Sequence, residues 1–503
     1  MTEQSGVSRG HSTEAGKKKE PREGLNVERS LPYAGLESNA MKAANPGKSW
    51  DYQREVGVEL RGNAGEPSIV PASAGGEDGK AVDTSTKLLD KVLARENLNR
   101  AYKRVVKNGG SPGVDGMTVE ELLPFLKRHG ESLRQQVREG KYQPQPVRRV
   151  EIPKPDGGVR PLGIPTAVDR MIQQAIAQVL IPLFEREFSG HSYGFRPGRS
   201  AHQAIREARV HITEGNRIVV DMDLEKFFDR VNHDKLMYLL AKRIADKRVL
   251  RLIRQYLDAG VMTGGLVSPT DEGTPQGGPL SPLLSNVVLH ELDKELEKRG
   301  HRFCRYADDC NIYVRSWRAG KRVMAGISQF IEKRLQLKVN RNKSAVDSPT
   351  KRKFLGISFY YKTGGVGVRV HSKPITRLKE KVRAVTMPSN TLSMPQRVAK
   401  LNEVIRGWVN YFKVADMRQH CADVDDWLRR RLRLCYWEQW KKIKTKHDNL
   451  VRLGVSDSEA WQYANTRKGS WRIAKSPILN RTLTNDFFRK LGLTYLSDVY
   501  CKS

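Results

Sequence analysis

The sequence contains no Cys-x-x-Cys pair. Its 5 cysteines, Cys304, Cys310, Cys421, Cys435 and Cys501, are scattered and odd in number, which excludes a zinc ribbon or thioredoxin-type motif and fits a reducing interior. A long apolar run is also missing. The longest, at residues 175–184, is broken by Gln178 and falls far short of the ~18–20 residues of a membrane span. No apolar h-region occurs in the first thirty residues, so no secretory signal is expected. These absences point to a cytoplasmic protein with no membrane partner. Aromatic residues and sustained periodicity are nearly absent from residues 1–84. Such a stretch cannot bury enough apolar surface to offset its ordering entropy, and it is expected to be a disordered N-terminal extension. No internal repeat is visible.

Negative charge is in short supply. The 503 residues hold 56 Asp+Glu against 89 Lys+Arg, a formal charge of +33. The imbalance is local, because residues 1–85 carry 11 Lys+Arg and 13 Asp+Glu, so the rest of the chain holds the whole excess. A charge of that size destabilises a compact fold unless a polyanion neutralises it, and nucleic acid is the expected polyanion. A ribosomal-type or membrane-surface protein is the alternative that charge alone leaves. The length allows two to four domains of ~100–200 residues each.

What is present reads as mixed α/β. Leu88, Val92 and Leu93, then Leu98, Tyr102 and Val105, recur at helical spacing, and a further helix is expected over 119–126. Residues 147–152 and 159–162 read as two strands of a hairpin around Pro153-Lys154-Pro155-Asp156-Gly157-Gly158. Met171, Ile172, Ala175, Ile176, Val179 and Leu180 form one helix face. Residues 218–224 form a β-branched strand ending in acids. Ser281-Pro282 caps and opens a helix that Gly300 closes. Residues 303–306 and 311–314 are strands around the turn Ala307-Asp308-Asp309-Cys310. A helix over 323–335 and a strand pair near 354–361 follow, and beyond about residue 370 the pattern turns helical and very basic.

Two acidic groups stand out. Tyr306-Ala307-Asp308-Asp309 puts adjacent carboxylates in an apolar hairpin, costly unless a divalent cation neutralises them; an ordinary Asp-rich turn is the plain alternative. Upstream runs Asp221-Met222-Asp223-Leu224-Glu225-Lys226-Phe227-Phe228-Asp229. Phosphoryl transfer with two metal ions about 3.5–4 Å apart needs carboxylates from separate strands. Asp221 and Asp223 share a strand face by period two, so spacing does not choose between them.

These residues, with Thr274-Pro275-Gln276-Gly277-Gly278-Pro279-Leu280-Ser281-Pro282, Ser111-Pro112-Gly113-Val114-Asp115-Gly116, the block 148–163, Tyr193-Gly194-Phe195-Arg196-Pro197-Gly198, the block 338–344 and Phe354-Leu355-Gly356, occur in a known order. The sequence resembles the reverse transcriptase/maturases encoded within bacterial group II introns, class C-like, over roughly residues 88–500. The resemblance implies a right-hand polymerase: fingers and palm over 85–365, a helical thumb or maturase X region over 366–445, and a small basic DNA-binding segment over 446–503. It implies two Mg²⁺ ions held by Asp223, Asp308, Asp309 and the Leu224 carbonyl, with Asp221 in support. Phe228 matches the aromatic that rejects a ribose 2′-OH; a plain core Phe is the alternative. Arg148, Lys154 and Arg160 match fingers residues that grip the triphosphate. Gln276 would line the nascent base pair, and Lys343 would protonate the leaving pyrophosphate, a solvated surface lysine being the alternative. Phe354, Leu355 and Gly356 match the primer grip, where glycine admits the primer backbone.

Downstream, Arg429, Arg430, Arg433, Lys441 and Lys442 interleave with Trp437 and Trp440 on one expected helix over 429–442. That stripe would track an RNA backbone, a solvated face being the alternative. The tail with Asn465-Thr466-Arg467-Lys468-Gly469-Ser470-Trp471-Arg472 resembles the DNA-binding segment. The implied partners are group II intron RNA, an RNA template with a DNA primer, target DNA and dNTPs. The implied activity is RNA-directed DNA polymerisation together with splicing help and target-primed mobility. An idle polymerase serving only as a splicing cofactor, or a relative recruited to phage defence, are the competing expectations. The His and paired Cys ligands of an endonuclease domain are not found, so second-strand cleavage is not expected of this chain.

Overall fold

The computed structural model describes residues 87–502 apart from 154–157, 264–265, 269–272 and 274–276. The N-terminal extension expected to be disordered, Lys154 and Gln276 lie outside the described residues. The first described elements are α1 (Leu88–Val92), α2 (Arg95–Asn108) and α3 (Leu122–Arg138). α3 starts later than the helix expected over 119–126 and runs well past it. The Thr118 N–H donates to Glu121 Oε2 at 2.8 Å, closing a turn ahead of the helix. Pro124 then sits in the first turn, where its missing N–H has no helical partner to lose.

The expected hairpin is present as β1 (Val147–Pro153) and β2 (Val159–Ile164). After α4 (Ala167–Glu185), α5 (Ala201–Thr213), β3 (Ile218–Met222), α6 (His233–Ala241) and α7 (Lys247–Asp258) come the short strands β4 (Val261–Thr263) and β5 (Leu266–Ser268). These extend the hairpin into a sheet of order β2-β1-β4-β5, with β1 and β4 parallel, a long-range pairing that sequence pattern does not reveal.

Next come α8 (Ser281–Lys298), β6 (Arg302–Tyr306), β7 (Asp309–Val314), α9 (Trp317–Phe330) with a wider turn over Ile331–Leu335, and β8 (Ala345–Asp347). Ser281 is the first helical residue of α8 and not its cap: Leu280 holds the cap position, and the Ser281 carbonyl accepts from Ser285 Oγ at 2.8 Å. The palm-like sheet has the order β6-β7-β3-β8. Its strands pair antiparallel, with Val219 opposite Tyr313 and Asp221 opposite Asn311. Alternation sends Ile218, Val220 and Met222 into one hydrophobic core with α4 and α8. Val219 and Tyr313 face a second core. A strand buried on both faces has no polar side to show, which is why residues 218–220 read as a continuous apolar run.

β9 (Ile357–Lys362) and β10 (Gly365–Val370) form a separate hairpin, and helices begin at Ser372: α10 (Ser372–Val385), α11 (Met394–Phe412), α12 (Arg418–Gln439), α13 (Ile443–Arg452), α14 (Asp457–Ala464), α15 (Ser470–Ile473), α16 (Pro477–Thr482), α17 (Asn485–Lys490) and α18 (Leu496–Cys501). Residues from α10 to α18 share the second core with α5 and the outer face of the palm sheet. The single helix expected over 429–442 ends at Gln439, because Trp437 and Trp440 both turn inward and are buried. Lys441 and Lys442 therefore lie between α12 and α13. No helix among the described residues is long and apolar enough to cross a membrane.

Candidate active site

The acids at the ends of β3 and β7 meet. Tyr306 pairs with Asp309, so the hairpin turn consists of Ala307 and Asp308 alone. Ala307 takes a left-handed φ of 57°, a conformation that costs a non-glycine residue energy and that the surroundings must enforce. They do so from beneath. Arg305 and Asp293 form an ion pair with both side chains fully buried, Nη2 to Oδ2 2.5 Å. Arg305 Nη1 also donates to the Ala307 carbonyl at 2.9 Å and to Asn286 Oδ1 at 3.0 Å. Asn286 in turn donates to the Gly194 carbonyl at 2.9 Å. Gly194 lies so close that a Cβ there would stand 2.2 Å from the Ala307 nitrogen, which is the physical reason for glycine in the Tyr193-Gly194-Phe195 motif. None of Arg305, Asp293 or Asn286 was singled out from the sequence. The one available signal was a charged residue in an apolar strand, two positions before the turn.

Asp223 follows the last residue of β3. Its N–H donates to Ser344 Oγ at 3.0 Å, and its carbonyl accepts from the Asn340 N–H at 2.8 Å. Leu224 bridges Val339 through bonds made by its neighbours, Asn340 to Asp223 and Glu225 to Lys338. In an antiparallel pair this leaves Leu224's own carbonyl directed away from Val339, toward the edge where β7 lies. Asp221 is engaged by Arg352, which donates to its Oδ2 from Nε at 2.8 Å and from Nη2 at 2.6 Å. Spacing did not distinguish Asp221 from Asp223; the structure distinguishes them by Arg352, a residue that sequence reasoning did not name.

The electrostatics of the cluster follow from burial first and from mutual repulsion second. Burial pushes the Asp308 carboxyl above its ordinary range, Asp223 adds to the rise, and Arg160 and Arg305 oppose it. Asp309 is raised further, by burial first and then by Asp221, Asp308 and Asp223, with Lys353 opposing. Burial likewise raises Asp221 against the pull of Arg352. A divalent cation would favour the ionised form of these buried acids.

The fingers-like hairpin faces this cluster. Arg148 is opposite Ile164 and Arg160 opposite Ile152, so both guanidinium groups lie on one face of the two strands. Arg148 Nε is buried without a hydrogen-bond partner. Phe228 is half-buried, its ring edge-on to Phe227 at 5.2 Å. Lys343 is exposed, in the loop that Arg352 Nη2 holds by its backbone carbonyl at 2.7 Å. Phe354 is buried, and Leu355 and Gly356 both have positive φ. A Cβ on Gly356 would stand 3.2 Å from the Phe412 ring, and Tyr411 Oη donates to the Leu355 carbonyl at 2.9 Å. Packing on α11 therefore already requires this glycine, apart from any primer.

The basic residues of α12 behave differently from the expectation. Arg433 is buried and donates to the Leu483 carbonyl at 3.0 Å and to Asn480, satisfying orphan acceptors at the end of α16. It ties α12 to α16 within the fold. Arg430 stacks on Trp471 at 3.8 Å and donates to its carbonyl at 2.8 Å. Arg429 pairs with Asp426 and lies over the Tyr495 ring. Lys441 and Lys442 are exposed.

Residues 152–359 match the family model described as reverse transcriptase (RNA-dependent DNA polymerase), and residues 375–454 match that of the group II intron maturase-specific domain. The chain is 35% identical over 300 residues to Protein YkfC of Escherichia coli K12, covering 52% of this chain and 79% of that one. It is 37% identical over 210 residues to the group II intron-encoded protein LtrA of Lactococcus lactis, covering 42% of this chain and only 35% of LtrA's length. Among solved structures, a partial Cas6-RT-Cas1–Cas2 complex matches at 24% identity and a TM-score of 0.32, over 49% of this chain and 42% of that one.

Proposed function

This chain belongs to the reverse transcriptases that carry a group II intron maturase-specific domain, RNA-directed DNA polymerases, and from that premise we propose that it copies RNA by extending a DNA primer at Asp223, Asp308 and Asp309 and binds its own intron RNA to assist splicing and target-primed mobility. The reading is carried by the convergence of carboxylates from positions 223, 308 and 309, near enough that Asp223 raises both Asp308 and Asp309.

Divalent metal ions are generic to the family; two Mg²⁺ would be held by Asp223, Asp308, Asp309 and the Leu224 carbonyl. When bound, they supply activation of the primer 3′-OH and charge neutralisation on the triphosphate. The donor set fits, since every member is an oxygen ligand and the acids are crowded by one another. The chain's own residues do the rest. Arg160 and Arg148, with Lys154, grip the incoming triphosphate by charge-assisted hydrogen bonds; the unpartnered Arg148 Nε supports a ligand there. Phe228 crowds the sugar so that a 2′-OH is rejected. Gln276 lines the nascent base pair, Lys343 donates a proton to the leaving pyrophosphate, and the turn at Phe354, Leu355 and Gly356 positions the primer. Arg305 and Asp293 hold the Ala307–Asp308 turn and take no part in the chemistry.

Intron RNA binding is assigned to exposed cations of the maturase-specific region, Lys441 and Lys442 foremost, with Arg429 and Arg430 at its margin, and target DNA to the basic segment beyond residue 446. The test is primer extension on an RNA template with a DNA primer, dNTPs and Mg²⁺. Extension by the wild type and none by Asp308→Asn at equal RNA affinity supports the proposal; equal extension by both overturns it.

A further inference from the structure

Beside β6, at the edge of the sheet, lies a second group of ionisable side chains that the proposed polymerisation does not use. His191 comes from the segment before α5, and Glu207 and His211 from successive turns of α5. One ligand atom from each lies within 4.8 Å of the other two.

The distances are informative. Glu207 Oε1 stands 3.3 Å from His191 Nδ1 and 3.3 Å from His211 Nε2. Adjacent ligand atoms around a tetrahedral zinc with bonds of about 2.0–2.1 Å stand about 3.3–3.4 Å apart. His211 is 2% exposed, and neither of its ring nitrogens has a hydrogen-bond partner. A buried imidazole without partners is expensive, and one aimed at a carboxylate and a second imidazole is oriented for a shared cation. Burial holds the His211 imidazole below its ordinary value, which favours the neutral form that ligates metal. Glu214 Oε2 lies 3.8 Å from His211 Nδ1, beside the nitrogen that an outer carboxylate commonly orients in a metal-bound histidine. Cys304 is buried nearby on β6, but its sulfur is not among the ligand atoms that lie together.

We propose that His191, Glu207 and His211 form a zinc site, with Nδ1, Oε1 and Nε2 as its protein ligands. Two imidazoles and one carboxylate suit a borderline transition metal rather than the Mg²⁺ of the polymerase centre. Its place in the fold gives it a task. The His191 carbonyl accepts from the Arg305 N–H at 2.9 Å, and the Tyr193 N–H donates to the Arg305 carbonyl at 2.8 Å. The ligand-bearing segment is therefore laced to the strand that ends in the Ala307–Asp308 turn. Zinc would staple that strand's flank to α5, bracing the turn from the side away from the nucleotides.

The experiment uses the full chain without a polyhistidine tag, freed of weakly held metal and offered zinc chloride against a chromophoric chelator, with cobalt chloride as a spectroscopic substitute. The wild type should hold one zinc per chain, show the strong visible bands of tetrahedral cobalt, and lose thermal stability on chelation. His211→Gln should lose the site. His191→Gln, whose side chain is half-exposed and less needed for folding, should weaken zinc by about 100-fold or more, a loss at or beyond that of removing an outer-shell partner. Asp308→Asn should keep the zinc. A wild type without stoichiometric zinc, or zinc bound as tightly by His191→Gln as by the wild type, overturns the proposal and leaves the cluster as a His–Glu ion network.

Discussion

The palm sheet and the helical C-terminal half treat charge in opposite ways. At the ends of β3 and β7, burial first and the neighbouring acids second raise the Asp308 and Asp309 carboxyls, against the pull of Arg160, Arg305 and Lys353. In α12, Arg433 finds a carbonyl and an amide, and Arg431 finds the Thr386 hydroxyl and carbonyl at 2.9 and 2.8 Å. In the first region like charges are buried together; in the second, Arg431 and Arg433 are tied to carbonyl and hydroxyl groups of neighbouring helices. A run of arginines on a helix is therefore weaker grounds for a nucleic-acid surface than two acids in a strained turn.

The sharpest way to break this comparison is Asp308→Asn. It should lower dNTP incorporation by about 10³-fold or more, since several kcal/mol of charge stabilisation is lost at ~1.4 kcal/mol per decade, while RNA affinity measured by filter binding stays put. The same crowding predicts a pH dependence. With Asp308 and Asp309 raised above their unfolded values, the folded chain holds protons that the unfolded chain has released. In divalent-free buffer, stability by urea unfolding should fall as pH rises from the ordinary carboxylate range through the raised values, and Mg²⁺ should flatten that fall. An unchanged slope with Mg²⁺ would count against a cation at these acids.

Arg305→Met comes next. It leaves Asp293 buried and alone, an arrangement that costs about 3–5 kcal/mol of stability, read as a lowered urea midpoint. Normal stability would mean that the turn is held by something other than this pair. Phe228→Ala should reduce the preference for dNTP over rNTP in kcat/KM by about 10–200-fold, the scale of a steric discrimination. No change would make Phe228 ordinary packing against Phe227.

In the helical half the effects are smaller and separate two roles. Arg433→Ala should destabilise the fold by about 1–3 kcal/mol through unpaired acceptors at α16, without altering the salt dependence of intron binding. Lys441→Ala with Lys442→Ala should leave unfolding unchanged. It should flatten the plot of log K against log[salt] by about 0.7–0.9 per lysine, the scale known for nucleic-acid phosphates. The reverse pattern would invert the assignment of joint and contact.

Local patterns were legible where chemistry and structure coincide over a few residues. The β1–β2 hairpin, the helix face from Met171 to Leu180, the strand carrying Val219 and the turn at Ala307 and Asp308 all follow from periodicity and turn chemistry in one stretch of chain. The acids announced themselves because a carboxylate at the end of an apolar strand is locally anomalous. Arg305 and Arg352 did not: an arginine's partner lies wherever its long side chain reaches, 12 residues away for Asp293 and 131 for Asp221. The end of α12 was misjudged for a related reason, since helical spacing continues through Trp440 and only packing against the second core turns the chain there.

By itself the sequence determined the composition of the site, a basic nucleic-acid-directed chain with acids at positions 221, 223, 308 and 309, because these depend on residue type and short-range order. Tertiary structure decided that Arg352 closes on Asp221 and that Arg433 turns inward onto α16. It also brought His191 beside Glu207 and His211. These outcomes rest on long-range contacts between side chains, and a one-dimensional pattern holds no distance between residues that meet only when the chain is folded.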